Sequence, residues 1–164
     1  MISKTLSLQA LCAQESITIS PAVVAANNVV IVPKRIDGKD RLNSDFIPLI
    51  KQIRLKAGTS YIAKRDGEVG YYDFRGGEYE LPLFILKDVL LPILLGILAN
   101  RIDKMLFEYQ ESKKEDPDNK HLHEPEIKAR WYITETQEYF ELQGPASEAS
   151  VSIKAYLKER SRKS

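Results

Sequence analysis

Alternating apolar and polar residues predict β-strands near both ends of the chain. Residues 4–13, 17–19 and the β-branched run 29–32 follow this pattern and predict three strands in the first part. Residues 127–133 and 139–142 alternate in the same way around a short polar turn. They predict an antiparallel hairpin in the last third of the chain.

A second hairpin is predicted around Asp66-Gly67, between residues 61–64 and 68–74. The Asp-Gly pair suits a type I′ turn, because both central residues of that turn need a positive φ. Residues 75–78 contain two consecutive glycines and predict a further turn.

Apolar residues at three- and four-residue spacing predict three helices. The first covers residues 45–56, with Pro48 in its first turn, where a missing N–H has little effect. Residues 83–110 predict one long helix with a kink at Pro92. The last helix covers residues 145–160 and ends in basic residues, which complement the negative end of the helix dipole.

The most apolar stretch of the chain lies at the start of the long predicted helix. Residues 81–99 contain two charged residues, Lys87 and Asp88, and approach the length of about 20 residues that spans a bilayer. Each charge costs roughly 2.5–3.5 kcal/mol at the centre of a membrane. The remaining run 89–99 therefore favours a helix buried in protein, and we expect both charges to reach water or a partner near residues 78–80.

These elements predict an α+β fold. Antiparallel strands and hairpins are expected to pack on the long central apolar helix and on two shorter amphipathic helices. The polar residues 111–125 form a predicted linker between residues 1–110 and residues 126–164, which hold the last hairpin and helix. We expect the two parts to form one compact domain.

Composition excludes several broad classes. The chain has 164 residues, 43% of them hydrophobic and 29% charged, and a formal net charge of +1. These values exclude wholesale disorder and a collagen-like chain, and they give no overall attraction for nucleic acid. Cys12 is the single cysteine, so no intrachain disulfide can form and a cytoplasmic location is expected, with membrane association as the alternative.

Candidate chemistry is sparse. His121 and His123 are two residues apart and could reach one metal ion from an extended segment, but a polar solvated loop is the favoured interpretation. Cys12 lies on a strand-like apolar stretch and is interpreted as a small buried residue. No metal or cofactor is therefore predicted. The acidic pairs at positions 78 and 80 and at positions 138 and 141 are interpreted as solvated faces.

The leading functional hypothesis is a non-enzymatic interaction module, a subunit or regulator that contacts itself or another protein through residues 81–110. Apolar anchors would give the affinity, and the charged second half of the helix would give specificity. A membrane-associated effector or accessory protein that inserts residues 81–99 is the alternative, and an enzyme with a site assembled from scattered residues is the third. The predicted interaction residues share one helix: Leu90, Ile93, Leu94, Ile97, Leu98, Ile102, Met105, Leu106 and Tyr109.

Overall fold

The computed structural model describes residues 1–72 and 78–163, which form nine β-strands and five α-helices. The strands are β1 (Ile2–Thr5), β2 (Val29–Val32), β3 (Lys34–Ile36), β4 (Lys39–Asn43), β5 (Ser60–Ile62), β6 (Gly70–Tyr72), β7 (Glu78–Leu86), β8 (Glu126–Ile133) and β9 (Glu138–Pro145). The α-helices are α1 (Leu8–Gln14), α2 (Pro21–Ala26), α3 (Ile47–Ala57), α4 (Leu91–Glu115) and α5 (Ala146–Lys163). Short 3-10 turns at Ser44–Phe46 and Asp88–Leu90 precede α3 and α4.

The predicted α+β class is confirmed, although the sheets are mixed rather than purely antiparallel. The larger sheet has six strands in the order β1-β9-β8-β7-β2-β5, and the smaller sheet has the order β3-β4-β6. In the larger sheet β7 pairs with β8 and β2 pairs with β5 in parallel, while the other neighbours are antiparallel.

Helices cover both faces of the larger sheet. Val29 and Ile31 of β2 pack in the core formed with α3, α4 and α5, whereas Val30 and Val32 pack in the core formed with α1 and α2. A strand that is buried on both faces has no polar alternation, which explains the continuous β-branched run at 29–32.

The predicted strand over residues 4–13 is only partly correct. Residues 2–5 form β1, but Leu8–Gln14 is the helix α1, and residues 17–19 are not in a strand. Ser7 begins α1, because its side chain accepts a hydrogen bond from the Ala10 amide at 3.1 Å. Leu8, Leu11 and Cys12 are spaced as a helix requires, so a short stretch of this kind fits either interpretation.

The predicted hairpin at Asp66-Gly67 is wrong. Gly67 has the positive φ of +88° that a turn of this kind needs, but the two flanking strands do not pair with each other. Instead β5 pairs with β2 in the larger sheet, and β6 pairs with β4 in the smaller sheet. The turn predicted at 75–78, and the end of the strand predicted at 68–74, fall on residues 73–77, outside the described residues, except for Glu78, which begins β7.

The predicted long helix over 83–110 is confirmed in its second part and wrong in its first. Residues 83–86 belong to β7, which lies between β2 and β8, with a register shift between Glu80 and Leu83 around Pro82. The helix α4 begins at Leu91 and continues to Glu115, so the loop that follows covers residues 116–125. Pro92 lies in the first turn of α4, and not at an internal kink.

The other predicted helices and the last hairpin are confirmed with small shifts. The helix expected at 45–56 is α3, which Gly58 ends with a φ of +80°. The helix expected at 145–160 is α5, and Pro145 belongs to β9 instead. The hairpin expected from residues 127–142 is the antiparallel pair β8–β9.

Candidate functional site

The predicted interaction residues of α4 separate into buried and accessible groups. Leu94, Leu98, Ile102 and Met105 are buried in the core beneath the helices. The accessible group comprises Leu90, Ile97 and Leu106, which are partly buried, Ile93, which is 41% exposed, and Tyr109, which is half-buried beside Lys113. Most of the apolar character of α4 is thus explained by packing within the chain. That α4 contacts a partner protein remains a prediction, and only its accessible side chains can make such a contact.

One stripe of accessible residues runs along α4 on the side of α3. Leu90, Ile93 and Ile97 are followed by Arg101 and Lys104, at spacings of three and four residues. Residues at these spacings lie on one face of a helix. The stripe therefore changes from apolar to basic along the helix. Its basic half is part of the charged stretch that was expected to give specificity.

A groove between α3 and α4 borders this stripe. Its wider end is a cleft of about 240 Å³, lined by Pro48, Leu49, Gln52, Ile97, Asn100, Arg101 and Lys104. Its narrower end is an apolar fissure, lined by Val29, Ile53, Ala57, Leu86, Leu90, Ile93 and Leu94. The groove offers the exposed part of Ile93 for apolar contact at one end and can pair anionic groups at the other.

The charges around the groove are mainly basic. The exposed side of α3 carries Lys51, Arg54 and Lys56, and α3 contains no acidic residue. Arg101 donates to the main-chain carbonyl of Asp45 at 3.4 Å, which holds its guanidinium at the wide end of the groove. The Asp45 carboxylate is the acidic group at the start of α3.

The pKa of Tyr79 reflects the charged groups near the wider end of the groove. Its ring packs edge-on against Phe46, with 5.9 Å between the ring centroids. Burial raises the pKa of the Tyr79 phenol, and the carboxylates of Asp45 and Glu108 act in the same direction while Arg101 opposes them. The carboxylates of Asp45 and Glu108 therefore lie near Arg101 at this end of the groove.

A second, larger depression of about 650 Å³ lies between the start of α4 and the end of α5. It is lined by Asp88, Val89, Pro92, Thr136, Leu157, Arg160, Ser161 and Lys163. The Asp88 carboxylate pairs with the Arg160 guanidinium, and the Asp88 amide donates to the Glu135 carboxylate at 2.6 Å. Burial and the hydrogen bond to Arg160 act in opposite directions on the phenol of Tyr156, and its pKa is raised. In this depression Asp88 and Arg160 thus bind to each other, and Lys163 pairs with Glu159.

The expectation for Lys87 and Asp88 is confirmed in part. Each charge has a partner outside the helix: the Lys87 ammonium donates to the Ala25 carbonyl at 3.2 Å, and Asp88 pairs with Arg160. The partners are not the residues 78–80 that the sequence suggested. Through these contacts, Lys87 and Asp88 connect the segment before α4 to α2 and to α5.

Charged side chains on strands of both sheets also pair with one another, which the sequence analysis did not predict. Lys34 and Lys128 both contact the Glu80 carboxylate, and Lys128 is also 3.6 Å from Glu141. The side chain of Glu80 is only 15% exposed, so the interpretation of this acidic residue as solvated is wrong. The carboxylates here are already neutralised by neighbouring ammonium groups.

The two histidines and the cysteine occupy different regions. His121 and His123 lie exposed in the loop 116–125, and within residues 1–72 and 78–163 no three His, Cys, Asp or Glu side chains form a group that could hold a metal ion. Cys12 is buried as expected, but on α1 rather than on a strand. Burial raises the pKa of the Cys12 thiol, which keeps it protonated.

The membrane alternative assumed a continuous apolar helix over residues 81–99. In the structure, residues 81–86 belong to the sheet and α4 begins at Leu91. Among the helices in the described part of the chain, none combines the length and the apolar character that crossing a bilayer requires.

Comparisons with known proteins do not identify the chain. No family model, curated protein or solved structure matches it. Its function must therefore be argued from the surfaces described above. Of these, the α3–α4 groove contains three of the five accessible residues predicted from the sequence, Leu90, Ile93 and Ile97.

Proposed function

We propose that the chain is a non-enzymatic interaction module that binds an acidic, amphipathic segment of a partner protein in the α3–α4 groove. The observation that carries this proposal is the stripe of α4 that changes from Leu90, Ile93 and Ile97 to Arg101 and Lys104. A cytoplasmic location is part of the proposal and is supported by the single, buried thiol of Cys12.

The apolar end of the groove supplies affinity. Ile93 is 41% exposed and lies beside the fissure, so a partner side chain placed there removes apolar area from water on both molecules. Helices that bind in grooves contact them through apolar anchors at spacings of three and four residues. The partner segment is therefore expected to present its own apolar anchors at helical spacing.

The basic end supplies orientation. Arg101 and Lys104 lie across the groove from Pro48 and Gln52, and Lys51 lies on the exposed side of α3. Carboxylates on the partner would pair with these cations, and such pairs act on specificity and association rate more than on affinity. The partner is therefore expected to be acidic at the end that meets Arg101.

Charge also argues against a symmetric dimer through this groove. A two-fold contact places the same patch of both copies together. Arg101 and Lys104 would then share one interface with a second pair of the same cations. An acidic partner removes this repulsion and gains attraction instead.

Fluorescence anisotropy with a labelled synthetic peptide tests the proposal. The probe is a short helical peptide with leucines on one face and glutamates on the other, and the comparison peptide has lysines in place of the glutamates. We expect the glutamate peptide to bind at least roughly tenfold more tightly, a difference of about 1.4 kcal/mol. Similar affinities for the two peptides, or no binding of either, would overturn the proposal.

Matched variants locate the binding. Ile93→Ser and Lys104→Glu should each weaken binding of the glutamate peptide. The controls are Val151→Ser, which changes a residue 68% exposed on α5, and Lys120→Glu in the exposed loop 116–125. If the controls weaken binding as much as the groove variants, the peptide does not bind in the groove. Sedimentation without peptide would reveal self-association, and a dimer dissociated by Ile93→Ser would assign the groove to a second copy instead.

A further inference from the structure

The outer side of α3 is a basic ridge, separate from the groove residues of α4. Between residues 46 and 65 the sequence contains five basic residues and no acidic residue. Three of the five, Lys51, Arg54 and Lys56, are exposed on α3. In a chain with a formal net charge of +1, this is a local concentration of positive charge.

The ridge also carries an apolar side chain that the fold does not use. Leu49, Ile50, Ile53 and Ala57 form the buried side of α3, whereas Leu55 is 81% exposed. No other large hydrophobic residue in the described part of the chain is more exposed.

Helical geometry places the apolar residue among the basic ones. Lys51 and Leu55 are four residues apart, so they lie one above the other on the outside of the helix. Arg54 and Lys56 flank Leu55 on either side, and Arg54 is held near the end of the helix by a 2.9 Å hydrogen bond from its Nε to the Ser60 hydroxyl. The result is a Leu surrounded by three cations.

This ridge differs from the groove in the partner that it fits. The ridge is the outward side of a helix, with Leu55 at its outermost position, whereas the groove is a depression between two helices. Helices that lie on membranes combine apolar residues with Lys and Arg, and because the apolar face of α3 packs in the core, Leu55 is the apolar residue of α3 that is free for this contact. The apolar residue enters the boundary between headgroups and acyl chains, while the cations contact anionic headgroups.

We propose that α3 docks on the anionic surface of a lipid bilayer, with Leu55 inserted at the headgroup boundary and Lys51, Arg54 and Lys56 paired with anionic lipid headgroups. Uniform positive charge on the ridge complements the negative surface of such a bilayer. Nucleic acid also carries dense negative charge, but its phosphates offer no apolar region for Leu55. Contact with a bilayer accounts for both properties of the ridge.

Vesicle flotation with the full chain tests this proposal. One set of vesicles contains phosphatidylcholine alone, and the other contains about one third phosphatidylserine in addition. We expect binding to the anionic vesicles only, and a marked decrease at high salt because surface charge is screened. Equal binding to both sets, or to neither, would overturn the proposal.

Two variants and two matched controls separate the roles of charge and of Leu55. Leu55→Asp and the double variant Lys51→Glu with Lys56→Glu should each decrease the vesicle partition coefficient roughly tenfold or more. The controls, Val151→Asp and Lys113→Glu with Lys120→Glu, make the same chemical changes at exposed positions outside the ridge and should bind like the parent. Unchanged thermal unfolding confirms that each variant is folded. Binding that survives both ridge variants would contradict the proposal.

Other occupants of the ridge would give different results. A labelled duplex oligonucleotide whose binding is lost in the Lys51→Glu and Lys56→Glu variant but retained in Leu55→Asp would assign the ridge to nucleic acid. Self-association that Leu55→Asp abolishes, without vesicle binding by the parent, would assign it to a second copy. Either outcome would overturn the bilayer proposal. Because Leu55→Asp changes no residue that lines or charges the groove, the peptide assay of the groove with this variant is independent of the vesicle result.

Discussion

Asp40 and Arg65 form a buried ion pair that joins distant segments of the chain. The Asp40 carboxylate accepts hydrogen bonds from the Arg65 guanidinium at 2.5 Å and from the Arg65 main-chain amide at 2.6 Å. The same guanidinium donates to the carbonyls of Glu15 at 2.8 Å and Pro33 at 3.1 Å. One side chain therefore connects the end of α1, the junction of β2 with β3, and β4.

Replacing Asp40 with Asn should destabilise the chain substantially. The Asp40 side chain is 0% exposed and that of Arg65 is 8% exposed, so the variant leaves a guanidinium without its buried counterion. We expect a loss of about 3 kcal/mol in the free energy of unfolding, at the lower end for a broken buried pair, because the amide oxygen can still accept a hydrogen bond. Urea unfolding, followed by the fluorescence of the single tryptophan Trp131, measures this loss.

Asp66→Asn is the matched control for that experiment. The Asp66 carboxylate pairs with Arg35, but its side chain is 55% exposed, and water replaces the lost interaction. We expect a change of no more than about 1 kcal/mol. Equal losses in the two variants would show that burial of the Asp40 pair does not contribute to stability as argued here.

The same carboxylate should make stability depend on acid pH. Burial alone would raise the pKa of Asp40, but the hydrogen bonds from Arg65 and the charges of Arg65 and Arg35 outweigh burial and hold the pKa below its ordinary value. The pKa of Asp103 is also lowered, by hydrogen bonds from Lys154 and Ser150. A lowered folded-state pKa stabilises the fold above the unfolded-state pKa, about 3.9 for Asp, and this stabilisation is lost as the pH falls through the folded-state pKa.

Urea unfolding at a series of pH values checks this dependence. We expect the free energy of unfolding to decline as the pH is lowered from about 5 towards 2. Asp40→Asn should decline less steeply than the parent, since it has one depressed carboxyl fewer. Parallel curves for the two proteins would show that Asp40 does not take part in the acid transition.

The sequence alone predicted those elements whose hydrophobic pattern fits only one type of secondary structure. Residues 127–142 alternate on both sides of a polar turn and form β8–β9, and the spacing of Leu49, Ile50 and Ile53 identifies α3. Residues 83–86 were misassigned, because a strand between two neighbours is buried on both faces and is as continuously apolar as a buried helix. Pro82, at the register shift in β7, was the available signal for a break there.

The candidate surfaces depend on packing that a single helix pattern does not contain. Whether Ile93 or Leu94 faces the core is decided by the positions of α3 and the sheet relative to α4. The basic ridge had a clearer signal, since Leu55 falls outside the apolar spacing of α3 and no acidic residue lies between 46 and 65. That signal was overlooked because the chain as a whole is nearly neutral.

Replacing Lys87 and Asp88 together with Leu should not create a membrane-spanning helix. In the sequence, this change gives an uninterrupted apolar run of about 19 residues, close to the length that spans a bilayer. In the structure the residues before Lys87 belong to β7, so the run is not one helix. We expect the double variant to lose its contacts with Ala25 and Arg160, with a loss of at most about 2 kcal/mol.

Fractionation on vesicles and size-exclusion chromatography check that expectation. The double variant should partition between supernatant and vesicles in the same ratio as the parent, and should elute at the same volume. A shift into the vesicle fraction would support the alternative in which residues 81–99 insert into a membrane. Insertion of these residues would also require β7 to leave the larger sheet.

Leu94→Asp should disrupt the fold, whereas Val89→Asp should not. Leu94 is 3% exposed within the core between α4 and the sheet, so its replacement places an unpaired carboxylate among apolar side chains. The variant loses the burial of a Leu side chain and adds the desolvation of a charge, and we expect a loss of more than about 4 kcal/mol. Val89 is 74% exposed in the 3-10 turn before α4, where an added carboxylate meets the positive end of the helix dipole.

Urea unfolding and the near-ultraviolet circular dichroism of Trp131 distinguish the two variants. We expect Leu94→Asp to lose most of the near-ultraviolet signal and of the free energy of unfolding, and Val89→Asp to keep both close to the parent values. If Leu94→Asp unfolds like the parent, Leu94 is not part of the core, and the division of α4 into a buried side and an accessible stripe is incorrect.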